Sequence, residues 1–486
     1  LGIKDEEKFF KQYKIKPFGC LDHIMNAIIL TALWGVVMMF GGVFFKKRTV
    51  AKYWAIAGIV IVLVANILEF FGHPFFNVDT KGMLRFDSFG LHFNTIAFIC
   101  TLLFFLLNGR DFEKIGLHVS EYFSLMFFVL CGVSILSSFN TLLLLFLGIE
   151  ILSIPLYILS GSDKSNLKGN EASLKYFLMG AFSTGILLMG IALVYGGNSL
   201  GSFYIDSINL GTGNLPVMIA AGLVLILVGM SFKVSAAPFH FWAPDVYDGA
   251  PAVVTSFMMT IVKVAAFVAF FRLFQTSFGA MQPQWQMLIV VITAATLLIG
   301  NVTAVFQRSV KRMLAYSSIS HAGFLMFTLF ALNDTAKEGL LLYAAAYSLA
   351  TIGIFAVIIK MSDYSIEGFN GFGKKQPLLA FTSVICLLSL TGIPLTAGFT
   401  AKFYVLMAAV KDGHQLWLVI FAVICAAIGA VYYFRVIQAI YFKDPVPGVN
   451  DDIQVSSSFK FLLIVTTVLI ILLGVLPGLL IDWIYY

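Results

Sequence analysis

The stretch Val228–Lys263, VGMSFKVSAAPFHFWAPDVYDGAPAVVTSFMMTIVK, decides how the chain is read. Runs apolar enough to cross a bilayer lead into and out of it, yet it carries Lys233, His240, Asp245, Asp248 and Lys263. Pro238, Pro244 and Pro251 deny it one continuous helix, because proline lacks a backbone donor and its ring clashes with the preceding turn. A lysine at the bilayer centre costs about 2.5–3.5 kcal/mol on insertion scales, and ionisable residues held there mark ion or proton paths. A broken helix inside a membrane survives only where protein or water satisfies the freed backbone. The stretch therefore reads as a discontinuous transmembrane helix that carries part of a proton or ion relay.

Outward from it, the composition agrees. The chain has 486 residues, 60% hydrophobic and only 12% charged, and its mean hydropathy is +0.94. A soluble domain carries about 25% charged residues. The expected fold class is an all-α polytopic membrane protein, since runs this long satisfy their backbone in lipid only as helices. About fourteen spans are expected, at 24–45, 53–71, 88–107, 118–138, 140–160, 171–195, 215–237, 251–275, 285–306, 312–332, 336–361, 377–410, 415–442 and 459–485. The net charge of +6 reflects basic loops beside a membrane surface; no Lys/Arg tract resembles a nucleic-acid patch. The five cysteines are scattered and form no CxxC, so no disulfide framework, zinc site or iron–sulfur site is suggested. Residues 1–24 are charged, lack the apolar core of a signal peptide, and are read as an upstream extension with no part in the fold.

Lysine and arginine counts orient the spans. Loops after odd-numbered spans, from Lys46 to Lys460, hold fifteen; loops after even-numbered spans hold five, namely Lys81, Arg85, Arg272, Lys337 and Lys411. The excess puts the odd loops in the cytoplasm and both termini on the outer side. A second break is expected in span twelve, where TGIPLTAGFTAKFY sets Gly392, Pro394 and Gly398 before Lys402. Paired breaks in corresponding positions indicate an inverted repeat with an ion site at its interface. Glu150 precedes Lys233 by 83 positions (150 to 233), and His321 precedes Lys402 by 81 (321 to 402). Spans 4–8 (118–275) and 9–13 (285–442) would then be two five-helix units, flanked by three spans at 25–110 and by a loop and last span at 443–486. An odd number of spans gives the two units opposite orientations.

Several residues are candidates for chemistry. Glu150, in LLLLFLGIEILSIPLYIL, is mid-span with apolar neighbours; it is either a packing carboxylate or a functional one. Lys233, Lys263 and Lys402 either snorkel to an interface or carry protons, and Lys263, about twelve residues into its span, is hardest to explain as snorkelling. For Lys175, about one turn into span six, the two readings are even. His240 and His321 are either interhelical hydrogen-bonders or relay groups. Ser317, Ser318 and Ser320 support a hydrated path beside His321 or serve packing. Arg435 is expected to anchor the cytoplasmic end of span thirteen, and Glu69 to be interfacial. Gly368–Lys375, GFNGFGKK, nearly fits a phosphate loop, but Lys375 stands where Ser or Thr is required.

The blocks EILSIPLY (150–157), FKVSAAPFHFWAPDVYDGAP (232–251), KRMLAYSSISHAGF (311–324) and GIPLTAGFTAKFY (392–404) resemble the antiporter-like membrane subunits of respiratory complex I. The resemblance runs from the first span to the last. It implies two inverted five-helix repeats around a hydrophilic axis, in which Glu150 pairs with Lys233, Lys263 is the central relay and Lys402 is the exit-side lysine. Lys175 also matches a lysine of the family pattern. It further implies proton translocation coupled to quinone reduction elsewhere, as a subunit of the NADH:quinone oxidoreductase translocase. No cofactor or redox centre is expected in this chain; NADH, FMN, iron–sulfur clusters and the quinone site would belong to other subunits. The implied partners are the antiporter-like subunit M and the small subunits K, J and A, in a bacterial inner membrane. A subunit of a multisubunit sodium/proton antiporter, which shares these motifs, is the second reading.

Overall fold

A computed structural model describes residues 25–44, 48–73, 75–198, 200–208, 216–413, 415–448 and 453–485. The upstream extension at 1–24 and the basic pair Lys46 and Lys47 lie outside the described residues. Among the described residues there are helices and three isolated bridges, with no strand. The principal helices are α1 (Asn26–Phe44), α2 (Arg48–Phe70), α3 (Ser88–Asn108), α4 (Val119–Ser138), α5 (Leu142–Ser160), α6 (Leu167–Gly197) and α7 (Val217–Lys233). They continue as α8 (Trp242–Gly249), α9 (252–278, with π turns at Met258–Val262 and Phe274–Phe278), α10 (Gln282–Val305), α11 (Val310–Ala331) and α12 (Asp334–Ile358). The last five are α13 (Pro377–Thr391), α14 (Ala397–Asp412), α15 (Leu416–Phe442), α16 (Ser457–Val475) and α17 (Gly478–Ile484).

Short polar residues start many of these helices, because a side-chain oxygen there satisfies an orphan backbone donor. Asp87 accepts from Gly90, Thr141 from Leu144, Ser309 from Arg312 and Asn333 from Ala336. Eleven helical stretches among the described residues are long and apolar enough to cross a membrane. That differs from the fourteen expected for two reasons. The run 252–305 is helical across two expected spans, and α7 and α13, cut short by the breaks, fall below membrane-crossing length. The last expected span also divides, because Pro477 interrupts it between α16 and α17.

The helices sort by burial. α11 and α12 lie inside the bundle, with 94% and 100% of their apolar windows buried, whereas α15 and α16 bury 33% and 28%. The outer helices α1, α2, α6, α15 and α16 turn large apolar side chains outward, among them Phe40, Phe182, Phe434 and Phe461. A face of that kind suits lipid tails or another membrane subunit. α6 and α7 approach backbone to backbone, since a Cβ on Gly190 would sit 2.9 Å from the carbonyl oxygen of Gly222.

Both expected breaks are present. α7 stops at Lys233 and the helix resumes at Trp242; α13 stops at Thr391 and resumes at Ala397. Gly392 ends α13 at φ +87°, a left-handed conformation glycine adopts without a Cβ penalty. Glu69, expected near an interface, stands at the end of α2 and is fully buried against the start of α1. At one end of the bundle Arg272, in the last α-helical turn of α9, donates to the carbonyls of Phe139 (2.9 Å), Ser137 (3.1 Å) and Arg85 (2.8 Å) and to Asp87 Oδ2 (2.7 Å). It thereby satisfies carbonyls left over at the end of α4. Arg435 does the same for α10, donating to the carbonyls of Val305 and Gln307, in keeping with the anchoring role expected of it.

Candidate functional site

Glu150, Ser153 and Tyr157 stand three and seven positions apart on α5, so they share one face. Lys233 is the last residue of α7, and the break lets its side chain reach that face. Its Nζ donates to Ser153 Oγ at 3.1 Å and to Tyr157 OH at 3.4 Å. The expected contact between Glu150 and Lys233 is not made: among the described residues no ion pair joins them, and the buried Oε1 of Glu150 accepts no hydrogen bond from the protein. Glu150 nevertheless lies within electrostatic reach of both Lys233 and Tyr157. One turn of α5 separates the carboxylate from the hydroxyl that holds the ammonium.

The segment between α7 and α8 is held by side chains that replace the missing helix. The Trp242 indole donates to the Phe232 carbonyl at 3.0 Å, and Thr296 accepts from the Ala237 amide at 2.8 Å. Trp242 stacks on Tyr176 at 4.8 Å, Tyr176 meets Tyr157 edge-on at 4.7 Å, and Trp242 meets Tyr247 at 5.5 Å. The ring of Tyr157 lies 6.0 Å from the Lys233 ammonium, and that of Tyr247 lies 5.6 Å from the Lys263 ammonium. An aromatic column thus joins the surroundings of the two lysines. His240 is buried beside it, stacked on Phe241 at 4.7 Å, but its Nδ1 bonds to nothing in the protein.

Lys263 follows the π turn Met258–Val262, a local widening that recurs at functional positions in helices. Fully inside the bundle, its Nζ donates to the carbonyl (3.0 Å) and hydroxyl (2.9 Å) of Ser318 on α11. His321 and Phe324 follow Ser318 at intervals of three. His321 Nδ1 lies 2.6 Å from Tyr343 OH on α12, and its Nε2 lies 3.3 Å from Tyr433 OH on α15; Tyr433 also bonds Ser317. Phe324 places its ring 4.9 Å from the Lys402 ammonium. Lys402 in turn donates to the carbonyls of Leu390 (2.9 Å) and Thr391 (2.8 Å), at the C-terminal end of α13. A cation is stabilised there by the carbonyls and by the helix dipole. The second break therefore has a purpose: it opens the end of α13 to a lysine from α14.

Lys175 is placed elsewhere. It is 42% exposed and pairs with Glu171 at 2.8 Å and Asp245 at 3.0 Å, while Asp245 also binds Arg312 at 2.9 Å. Partial burial raises the Asp245 pKa, but its hydrogen bonds and charge interactions with Lys175 and Arg312 hold the carboxyl below the usual range. Lys175 thus belongs to an ion cluster at the end of the bundle rather than to the buried axis. Beside that cluster opens a cavity of about 670 Å³ lined by Asp111, Asp248, Arg308 and Lys311 among others. Lys311 reaches from it to the carbonyls of Asp248 (2.8 Å) and Ala250 (2.5 Å), clamping the end of α8. Among the described residues no group of three His, Cys, Asp or Glu side chains is placed to hold a metal.

The tyrosines that contact the axis, Tyr157, Tyr247, Tyr343 and Tyr433, were not singled out from sequence. Their one available signal was a hydroxyl inside a span where phenylalanine would fill the same volume.

The family profile described as NADH:quinone oxidoreductase/Mrp antiporter, TM, matches residues 139–429, which includes Glu150, Lys233, Lys263, His321 and Lys402. An NADH-quinone oxidoreductase subunit N from Cytophaga hutchinsonii is 37% identical over 466 residues, covering 94% of this chain and 99% of that one. The chain belongs to the NADH-quinone oxidoreductase subunit N family. A subunit N family member is expected to share the fold of complex I membrane subunits, and it does. A chain of respiratory complex I from Thermus thermophilus superposes with a TM-score of 0.80 at 31% identity, covering 94% of this chain and 98% of that chain. A chain of the Mrp complex from Dietzia sp. DQ12-45-1b has the same TM-score, 0.80, at 19% identity, covering 95% and 96%. At that identity the likeness shows the fold alone.

Proposed function

We propose that this chain is a proton-translocating membrane-arm subunit of an NADH:quinone oxidoreductase, relaying protons along Lys233, Lys263, His321 and Lys402 while the redox chemistry proceeds in other subunits. The observation that carries the reading is that each of these buried groups is held by neutral hydroxyls or carbonyls. Ionisable groups inside a membrane pair with one another or with backbone carbonyls; a lysine ammonium whose partners are all neutral oxygens can give up its proton without leaving a carboxylate unpaired. Glu150 then modulates. Bringing its carboxylate from about 10 Å to about 4 Å of a cation, at an effective dielectric near 20, changes the Coulomb energy from ~1.7 to ~4 kcal/mol. Lys233, bound to Ser153 and Tyr157, corresponds to the separated arrangement.

The units 118–275 and 285–442 are read as the two inverted repeats, a reading supported by the paired breaks and by the odd number of spans in each. The partners are other membrane-arm subunits, of which M, K, J and A are the expected neighbours, with NADH, FMN, iron–sulfur clusters and quinone bound elsewhere in the assembly. The basic loops would face the cytoplasm of a bacterial inner membrane. In a chain freed of its five cysteines, a single cysteine at exposed Lys114 should resist an impermeant thiol reagent applied outside intact cells, while one at Lys81 should react. The reverse pattern would invert the assigned orientation.

The function itself is tested by purifying the chain from its membrane. Flavin, iron–sulfur clusters and NADH oxidation should accompany it; their consistent absence from an intact preparation would favour an antiporter assembly. Within that preparation Glu150→Gln removes a modulation of ~2 kcal/mol, equivalent to about thirtyfold in an equilibrium. Coupled turnover should fall by up to that factor with assembly retained. Unchanged proton pumping would remove Glu150 from the mechanism.

A further inference from the structure

His321 stands on α11 between Ser318, which holds Lys263, and Phe324, which lies against Lys402. Both ring nitrogens face phenol oxygens, Nδ1 that of Tyr343 at 2.6 Å and Nε2 that of Tyr433 at 3.3 Å. Tyr347 closes a third side with its ring 4.8 Å away. Among the described residues no carboxylate forms an ion pair with the imidazole, while Lys263 and Lys402 are both within electrostatic reach of it. An imidazolium here would be a third buried cation without a counter-ion, which is strongly unfavourable. A neutral imidazole, by contrast, needs one donor and one acceptor, and two phenols supply them. Which ring nitrogen carries the proton depends on the tautomer, and the two contacts accommodate a Tyr343 hydroxyl donating to Nδ1 with Nε2–H directed at Tyr433.

Resting on the relay reading above, we propose that His321 passes protons as a neutral ring that exchanges tautomers, with Tyr343 and Tyr433 as its two conducting hydroxyls. At rest Tyr343 donates to Nδ1, Nε2–H donates to Tyr433, and Tyr433 donates to Ser317, its other hydrogen-bond partner. When a proton reaches the Tyr343 oxygen, that hydroxyl's own O–H bond breaks and an Nδ1–H bond forms. The Nε2–H bond breaks as a new Tyr433 O–H forms, the former Tyr433 proton goes to Ser317, and the serine proton passes to a water molecule, the acceptor this last step requires. Each group ends with as many protons as it began with, one proton has crossed the ring, and nothing is oxidised or reduced. The ring is left as the Nδ1–H tautomer; rotation keeps the proton on Nδ1, so the chain is ready again once the ring turns to present Nδ1–H toward Tyr433 and Nε2 toward Tyr343 and the three hydroxyls turn back. The imidazole never carries net charge between the two lysines.

The test uses the assembled complex in inverted membrane vesicles, comparing protons pumped per NADH oxidised. Tyr343→Phe and Tyr433→Phe each remove one hydroxyl and little volume. Both should lower pumping by about a hundredfold, the low end of what a positioned proton-transfer group contributes. His321→Gln, which offers a donor and an acceptor but cannot exchange them, should do the same, and His321→Lys should not restore pumping. The residual rate should show an enlarged solvent deuterium isotope effect, which a packing defect would not produce. If Tyr343→Phe fails to assemble, Tyr433→Phe and the isotope effect carry the test. Normal pumping in the phenylalanine variants beside a defective His321→Gln would overturn the tautomer wire and leave the relay standing. Normal pumping in Lys263→Met would overturn the relay itself.

Discussion

Lys263→Arg is expected to stop coupled proton transfer while leaving the subunit in its complex. The lysine is enclosed, and it is held by the carbonyl and hydroxyl of Ser318 rather than by an acid. Arginine preserves the charge and can donate to the same oxygens, but it is effectively never deprotonated in a protein. A structural cation would therefore be rescued by arginine, and a proton carrier would not. Moving one charge against about 150–200 mV takes roughly 3.5–4.6 kcal/mol at ~2.3 kcal/mol per 100 mV, so a site that holds its proton permanently stalls the step linked to it. The expected loss of pumping is on the order of a hundredfold or more. Lys263→Met should match it, and Lys402→Arg should behave likewise, since Lys402 also rests on neutral carbonyls. Proton pumping and NADH oxidation in inverted vesicles, with co-purification as the assembly control, decide the matter. If both arginine variants pump at the unaltered rate, the lysines serve only as fixed charges.

Gly398→Ala is expected to act at an earlier stage, by preventing the second broken helix from closing. A Cβ at Gly398 would lie 1.8 Å from the carbonyl oxygen of Ser389, and the Gly398 amide donates to the Ser389 hydroxyl at 3.1 Å. The obstacle is backbone, which cannot swing aside as a side chain does. α14 must move away from α13, and Lys402, one turn further on, then loses the two carbonyls that hold it. Overpacking of this kind costs about 1–3 kcal/mol and occasionally more. The amount of subunit in the membrane and its thermal unfolding should both fall sharply. Gly185→Ala, on a helix face where nothing lies within 4 Å, is the matched control and should leave both unchanged. Equal abundance and equal unfolding temperature for the two variants would show that α13 and α14 are not held together by this contact.

Much of the architecture could be read from residue order. Apolar run length locates helices along the membrane normal, and Pro238, Gly392 and Pro394 mark where helices break. The ionisable residues of the axis stand out because their surroundings are apolar. What residue order does not convey is rotation about each helix axis. Spans that are apolar on every side leave no trace of which face turns inward, so Tyr343 and Tyr433 cannot be told from packing residues. Lys175 shows the same limit from the other side. Its depth allowed a relay role, but its azimuth directs it outward to Glu171 and Asp245. Glu69 was expected at an interface because it is near a span end, and the approach of α1 encloses it. Eleven helical stretches rather than fourteen pass for membrane-crossing length among the described residues, because the breaks shorten two of the expected spans and 252–305 runs helical through two more.

Arg272 and Lys311 act as a pair of stakes around α9. Arg272 fastens the far end of that helix to Phe139, Ser137, Arg85 and Asp87, and Lys311 fastens the segment just before its near end through the carbonyls of Asp248 and Ala250. A rod fastened at both ends cannot slide along its length. Motion of that rod is confined to twist, and between the two fastenings the loosest winding is the π turn at Met258–Val262, immediately before Lys263. Lys263 is thus mounted like a lever on a shaft that can twist but not slide, its ammonium lodged against Ser318.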